Sequence, residues 1–397
     1  KIDISVVGEK KKLSIALPAN VFDQTTYPYL DDDDIGKPIP IAYGPVYKAP
    51  VICVNKAQSG SPPWTFKLCD TADHTNGIQS VDHVYVDGTG VSISSSDLSA
   101  GTVTIANGAW DGNKEVLVTF KGLKNSSNVY VTSALDIILD LLDIYAGVTY
   151  SSSYFNTTEW AAADSHALNN SLAIFIDNDT TIGNIIGEIC SSVFGYFIVQ
   201  GNGKYTFRIF DADAEVQRTI YKEGMLGPPE MSWPGSEYLT DCKIGYKKNW
   251  GKKSFRWHVE DTNKTIIYNK YKKYSSKSFE TLLTNAIDAQ ELAKAIMDYY
   301  QDVKAIYSIS TKTQNIQLDV VGTIAMEINR ITKNWLDFVK TEIIGINKNL
   351  MEDKITISAR HISNFTSPFY RWSPYAINIV KYAINEDGYA YGYARKD

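Results

Sequence analysis

The sequence predicts a mainly β, α+β protein of more than one domain, and three observations carry that expectation. Short β-prone runs recur between clusters of Gly, Ser, Asn and Asp. Apolar residues at helical spacing mark three helices set between those runs. Tyr is over-represented at 26 copies, and 12% of residues are aromatic, a bias shared by strand-rich proteins and contact surfaces. A length of 397 residues exceeds one ordinary core, which suggests two to four domains. The 44% hydrophobic and 21% charged content is that of a folded chain.

The first 50 residues read as two short strands, Lys1–Val7 and Lys12–Leu17, then an unusual junction. Four carboxylates, Asp31, Asp32, Asp33 and Asp34, run into Ile35-Gly36-Lys37-Pro38-Ile39-Pro40-Ile41-Ala42-Tyr43-Gly44. Proline fixes φ and disfavours helix in the residue before it, so Lys37 to Ile41 must be extended. Pro38 and Pro40 place two missing N–H donors on one side, which suits an edge or a connector lying along a wall. Gly36 and Gly44 bracket this strap as turns. Like charges ~6 Å apart repel by about 0.7 kcal/mol in water, and more where solvent is limited. The four aspartates must therefore stay wet, meet lysines, or hold a cation, and a solvated turn is the expectation.

Residues 51–122 carry short runs at Val51–Val54, Thr65–Leu68, His83–Val86, Thr102–Ile105 and Glu115–Lys121, at the spacing of a small β-sandwich. Asp87-Gly88 after Val84-Tyr85-Val86 signals a hairpin. Ser133, with Asp136 three residues on, caps a helix striped by Leu135, Ile138, Leu139 and Leu142 and stopped by Gly147. A second helix runs from Ile182 to Phe194, capped by Thr180 or Thr181 and ended by Gly195. It feeds a hairpin, Tyr196–Gln200 and Lys204–Phe210, over Gly201-Asn202-Gly203. The third and longest helix is expected from Ser278 to about Gln301. Strands follow at Ile306–Ser310, Ile316–Val321, Ile324–Ile328, Phe338–Ile346 and Ile355–Ala359, and then an aromatic, Gly-rich end.

Composition and motifs exclude several function classes. Net charge is −6 with a pI near 5.5, so no basic stripe draws nucleic acid in. Lys247, Lys248, Lys252 and Lys253 around Trp250, with Lys270, Lys272 and Lys273, read as solvated lysines on a hairpin. Cys53, Cys69, Cys190 and Cys242 form no C-x-x-C pair, which argues against zinc, an iron–sulfur cluster or a disulfide scaffold. His74, His83, His166, His258 and His361 are isolated and read as structural or exposed. Asp211, Asp213 and Glu215 alternate, but Val216 and Lys222 stand where a Ca²⁺ loop needs Gly and Glu. There is no H-E-x-x-H, G-x-S-x-G, P-loop or dinucleotide fingerprint. The expectation is no enzyme, no catalytic or metal-ligating residues and no cofactor. No run reaches a membrane span and no signal peptide is visible; the first residue is Lys, which fits a fragment or a chain trimmed at its start.

Three features in order resemble the baseplate hub, or tail-tip hub, proteins of tailed bacteriophages. The first is the G-x-P-I-P-x-x-Y-G strap at Gly36 to Gly44. The second is the apolar helix Leu135–Tyr145, a Ser-rich loop with a Phe at Ser151–Phe155, and the helix Ile182–Phe194 running into a glycine-turned hairpin. The third is a long helix, the segment Leu318–Gly322 and a closing hairpin at Glu342–Ala359. The resemblance implies two tail-tube-like β-barrel domains with packed helices and an inserted β-sandwich. Residues 1–50 would start the first barrel, 51–122 form the insertion, and 123–240 complete that barrel. Residues 241–363 would be the second barrel and 364–397 an aromatic extension.

It further implies a homotrimeric structural subunit in the virion, at the distal end of the tail. Such a hub closes or extends the tube and guides the tape-measure protein and then DNA during ejection at host entry. Its partners would be itself, distal tail and tube proteins, the tape-measure protein and central fibre or receptor-binding proteins, with DNA passing without specific binding. An acidic balance suits such a conduit, and Asp31 to Asp34 could face the channel. Two other classes remain open: a carbohydrate- or receptor-binding tail protein using Trp110, Trp160, Trp250 or Trp257, or a hub whose cell-wall-degrading activity lies outside this chain.

Overall fold

The computed structural model describes residues 11–60, 63–233, 238–261, 264–315, 318, 320, 322–328 and 338–365. The expected strand Lys1–Val7, most of Ile316–Val321 and the extension beyond Phe365 lie outside these. The described chain is mainly β, with five α-helices: α1 Ala134–Ala146, α2 Thr157–Asp164, α3 Ile182–Ser192, α4 Lys264–Tyr271 and α5 Ala286–Tyr300. It divides into two compact units, residues 1–210 with 237–302 and residues 211–236 with 303–397. The division falls within the expected first barrel rather than at 240/241. Residues 241–302 belong to the first unit because Asp241–Asn249 joins a sheet begun by Pro45–Pro50.

That sheet has seven strands, in the order Ser254–Glu260, Asp241–Asn249, Pro45–Pro50, Val116–Leu123, Ile78–Val86 and Thr89–Val91; Ser276–Glu280 also lies alongside Asp241–Asn249, in parallel. The 51–122 segment therefore feeds two sheets. Ile52–Cys53, Trp64–Lys67, Thr102–Ile105 and Ile93–Asp97 form a four-stranded sheet of their own, while Ile78–Val86 and Val116–Leu123 pair into the larger one. The Asp87-Gly88 turn takes φ of +49° and +78°, which matches the right-handed twist of its strands.

Local caps set the helices. The Ser133 side chain accepts from the Asp136 N–H, and Gly147 ends α1 at φ +63°. Thr181 caps α3 through the Asn184 N–H. The left-handed residue after α3 is Phe194, at φ +52°, not the expected Gly195. Gly195 instead opens the hairpin strand Gly195–Val199, where an added Cβ would lie 3.0 Å from the Arg208 carbonyl oxygen. The long helix starts later than expected, at Ala286, capped by Asn285 through the Asp288 N–H. The alternating Ser-Lys-Ser-Phe-Glu run of Ser276–Glu280 is a strand, because it finds the Asp241–Asn249 ladder. Beside the strand Tyr205–Ile209, which pairs with Gly195–Val199, Phe155 lies 5.1 Å from Trp160 and 5.5 Å from Tyr205, ring to ring, and the Trp160 indole N–H donates to the Tyr205 carbonyl at 3.0 Å.

The second unit is one six-stranded sheet, ordered Arg218–Ile220, Thr323–Glu327, Phe338–Asn349, Lys354–Phe365, Ile306–Thr311 and Glu230–Ser232. Its core gathers side chains from five of these strands, among them Ile220, Ile324, Ile343, Ile357 and Ile309. Among the described residues no sheet closes, in contrast to the barrels expected. Closure requires the edge strands to pair in register. Here the edges Arg218–Ile220 and Glu230–Ser232 are three residues each and pair only inward.

Candidate functional site

The proline strap lies against residues 20–22. Its non-proline residues use one side for pairing: the Phe22 N–H donates to Lys37 at 2.8 Å and the Ile39 N–H to Asn20 at 2.9 Å. Pro38 and Pro40 fall on the other side, where no N–H is needed and the Pro40 carbonyl accepts from the Asp70 N–H at 2.6 Å. Ile41–Tyr43 then pairs antiparallel with Ile174–Ile176. From Ile39 to Gly44 every residue is buried. Gly44 sits at φ +67°, and a Cβ there would lie 1.7 Å from the Leu172 carbonyl oxygen. Its N–H donates to Val131 and its carbonyl accepts from Gly122, so three backbones meet at a point where only glycine fits. Gly36 also has positive φ, +80°, but open space around it.

Tyr43 adds a side-chain hydrogen bond in the core to the strap's backbone contacts. Its hydroxyl donates to Asp140 Oδ2 at 2.7 Å, and His74 Nε2 lies 2.7 Å from the same oxygen. All three side chains are buried. The tie thus joins the strap, the 70–77 loop and α1, and His74 Nδ1 has no hydrogen-bond partner among the described residues. Burial, and then the Asp140 charge, holds the Tyr43 hydroxyl well above the usual tyrosine range. Beside it the Asp70 carboxylate accepts from Asn20 Nδ2 at 2.7 Å and from the Ala72 N–H at 3.0 Å. Sequence reading found Tyr43 but neither of its partners. The available signal was Asp140 itself, a carboxylate set among Ile137, Ile138, Leu141 and Leu142 on a helix with an apolar stripe.

The acidic turn is a wet surface feature met by lysines. Asp31 caps a 3₁₀ turn over Asp32–Asp34 through the Asp33 N–H. Lys56 lies 2.8 Å from Asp31, Lys37 lies 2.5 Å from Asp34, and Gln24 donates to Asp32 at 2.9 Å. The Lys56 ammonium, then the Asp33 N–H, hold the Asp31 carboxyl below the usual carboxylate range. Asp211 is likewise spent on a turn, accepting from the Asp213 N–H at 2.7 Å. No group of three or more His, Cys, Asp or Glu among the described residues is arranged to hold a metal.

The other candidates separate. Cys53, Cys69, Cys190 and Cys242 are free, and burial pushes the Cys69 and Cys242 thiols up to about 12. Of the four tryptophans suggested for stacking, Trp160 is core and Trp110 packs edge-on at 5.2 Å against both Trp64 and Phe66. Trp257 alone of the four is exposed. The basic hairpin forms, but Lys248 is not simply solvated. Its ammonium sits 4.1 Å from the Trp250 ring centroid, and burial lowers its pKa.

No family model matches the chain, and no curated protein matches it. Solved structures do. A component of the virion of a native gene transfer agent particle is 9% identical, with a TM-score of 0.51 over 89% of this chain and 91% of that one. A tail protein from Neisseria meningitidis is 11% identical, with a TM-score of 0.39 over 81% and 90%. A prophage tail protein from Listeria monocytogenes is 10% identical, with a TM-score of 0.36 over 84% and 89%. At these identities the likeness is one of fold, and the chain shares the fold of a virion component along nearly its whole length.

Proposed function

We propose that this chain is a structural subunit of a phage-type tail, acting as a homotrimeric hub at the distal end of the tail tube. The observation that carries this reading is the end-to-end likeness to a gene transfer agent virion component, which spans both units rather than one. The strap supports it from within the chain, because its buried, glycine-locked path gives architecture rather than a reactive centre. The open seven-stranded and six-stranded sheets are the tube-forming elements, completed by neighbouring subunits in the assembled ring. The chain carries no catalytic role, guides the tape-measure protein and DNA, and contacts tube and fibre proteins.

Analytical ultracentrifugation of the purified chain, read together with negative-stain images, tests the reading. Trimeric rings are expected. A stable monomer at all concentrations, or clearing of cell-wall substrate in a zymogram, contradicts it.

A further inference from the structure

Asn followed by Gly occurs three times in the chain, at Asn76-Gly77, Asn107-Gly108 and Asn202-Gly203, each outside the strands and helices. The pair is chemically distinctive, because glycine has no side chain to shield its backbone nitrogen from the preceding amide. Where that nitrogen is free and the amide can swing onto it, the two react without a catalyst. The structure leaves the three pairs in different states.

At Asn76-Gly77 both reacting groups are held. Asn76 Nδ2 donates to the Asn125 carbonyl at 2.8 Å and to the Ser126 carbonyl at 3.1 Å, and the Gly77 N–H donates to the His74 carbonyl at 2.8 Å. Gly77 is also buried, and a Cβ there would lie 2.0 Å from the Leu98 carbonyl oxygen, so its backbone has no room to turn. At Asn202-Gly203 the Gly203 N–H donates to the Gln200 carbonyl at 2.9 Å, and Asn202 Oδ1 accepts from the Lys204 N–H at 3.0 Å. Asn107-Gly108 differs from both. Its turn closes through the Ala109 N–H donating to the Ala106 carbonyl at 3.1 Å, a bond that engages neither residue between them. Asn107 and Gly108 are exposed, and Gly108 sits at φ +84° with open space around it. Neither the Asn107 amide nor the Gly108 N–H has a hydrogen-bond partner among the described residues.

We propose that Asn107 is a site of spontaneous covalent modification, converting to aspartate and isoaspartate through a cyclic imide. The Gly108 nitrogen bonds to Asn107 Cγ, the Cγ–Nδ2 bond breaks, and the proton of the Gly108 nitrogen leaves with the amide group as ammonia. Water then opens the imide at either carbonyl. One opening gives aspartate; the other gives isoaspartate, whose backbone runs through Cβ and is one carbon longer. Both add a carboxylate to a loop that already carries Asp111. The change falls just before Trp110, whose ring packs against Trp64 and Phe66. The proposal rests on this turn alone, so its failure leaves the hub reading untouched.

The test incubates the full chain at mildly alkaline pH, folded and in urea, and follows each Asn-Gly peptide by mass spectrometry with fragmentation that separates aspartate from isoaspartate. In the folded chain Asn107 should convert about tenfold or more faster than Asn202 or Asn76, because those two must first open their hydrogen bonds. In urea the three rates should draw together, and the product at Asn107 should contain isoaspartate. An Asn107 that stays intact in the folded chain, conversion at Asn76 or Asn202 at an equal or greater rate, the same spread of rates in urea, or aspartate as the sole product overturns the proposal.

Discussion

Residues 31–44 are one continuous segment, yet its two halves are held by opposite means. Asp31 to Asp34 stay at the surface, each carboxylate met by solvent or by a side chain such as Lys56, Lys37 or Gln24. Ile39 to Gly44 are buried, and their positions are set by backbone pairing, a glycine contact and the Tyr43–Asp140–His74 tie. Exposed ion pairs are screened and lose side-chain entropy on forming, whereas a buried polar group that loses its partner bears the full desolvation cost. The conspicuous half of the sequence is therefore the weaker half of the structure. Substitutions along the segment can break that contrast or sharpen it.

The largest effect is expected at Gly44. Gly44→Ala adds a Cβ against the Leu172 carbonyl and strains a left-handed residue, so the loss should exceed about 4 kcal/mol in chemical denaturation. Gly36→Ala has the same sign of φ but open space, and should cost only about 1–2 kcal/mol. Equal losses at the two glycines would remove the close-approach argument. Next, Asp140→Ala strands the Tyr43 hydroxyl and His74 in the core, with an expected loss of about 3–5 kcal/mol.

A smaller and pH-dependent effect is expected at Tyr43. Its hydroxyl pKa is raised in the folded state by burial and by Asp140, so above pH 10 the unfolded chain releases a proton that the folded chain retains. The unfolded state then binds fewer protons, and stability falls as pH rises beyond 10. Tyr43→Phe should lose about 1–2 kcal/mol at neutral pH and show a flatter decline above pH 10 in pH-resolved melts. A decline identical to that of the parent chain would contradict this. The smallest effect is at the surface: Asp31→Asn removes the Lys56 pair and should leave the melting temperature unchanged within error.

What could be read in advance follows the same contrast. The strap, the caps of α1 and α3 and the Asp87-Gly88 turn depend on residues within a few positions of one another, so proline φ, side-chain caps and glycine signal them locally. The tie to Asp140 joins residues 97 and 66 apart, and no local pattern records it. The same limit hid the sharing of the 51–122 strands with Asp241–Asn249, and it turned Ser278–Glu280, the expected start of the long helix, into the end of a strand. α4 was missed because its sequence, Lys-Thr-Ile-Ile-Tyr-Asn-Lys-Tyr, has no amphipathic stripe and buries only Ile267. The expected barrels depend on edge pairing, and among the described residues both three-residue edges of the second sheet remain open.

Electron cryomicroscopy of intact tails carrying an epitope-tagged chain tests the proposed hub role most directly. Three copies in a ring at the distal end of the tube, with the strap of each copy buried inside its subunit, is the predicted result. Tails whose distal end lacks this chain, or a chain found only as a monomer apart from the particle, would contradict it.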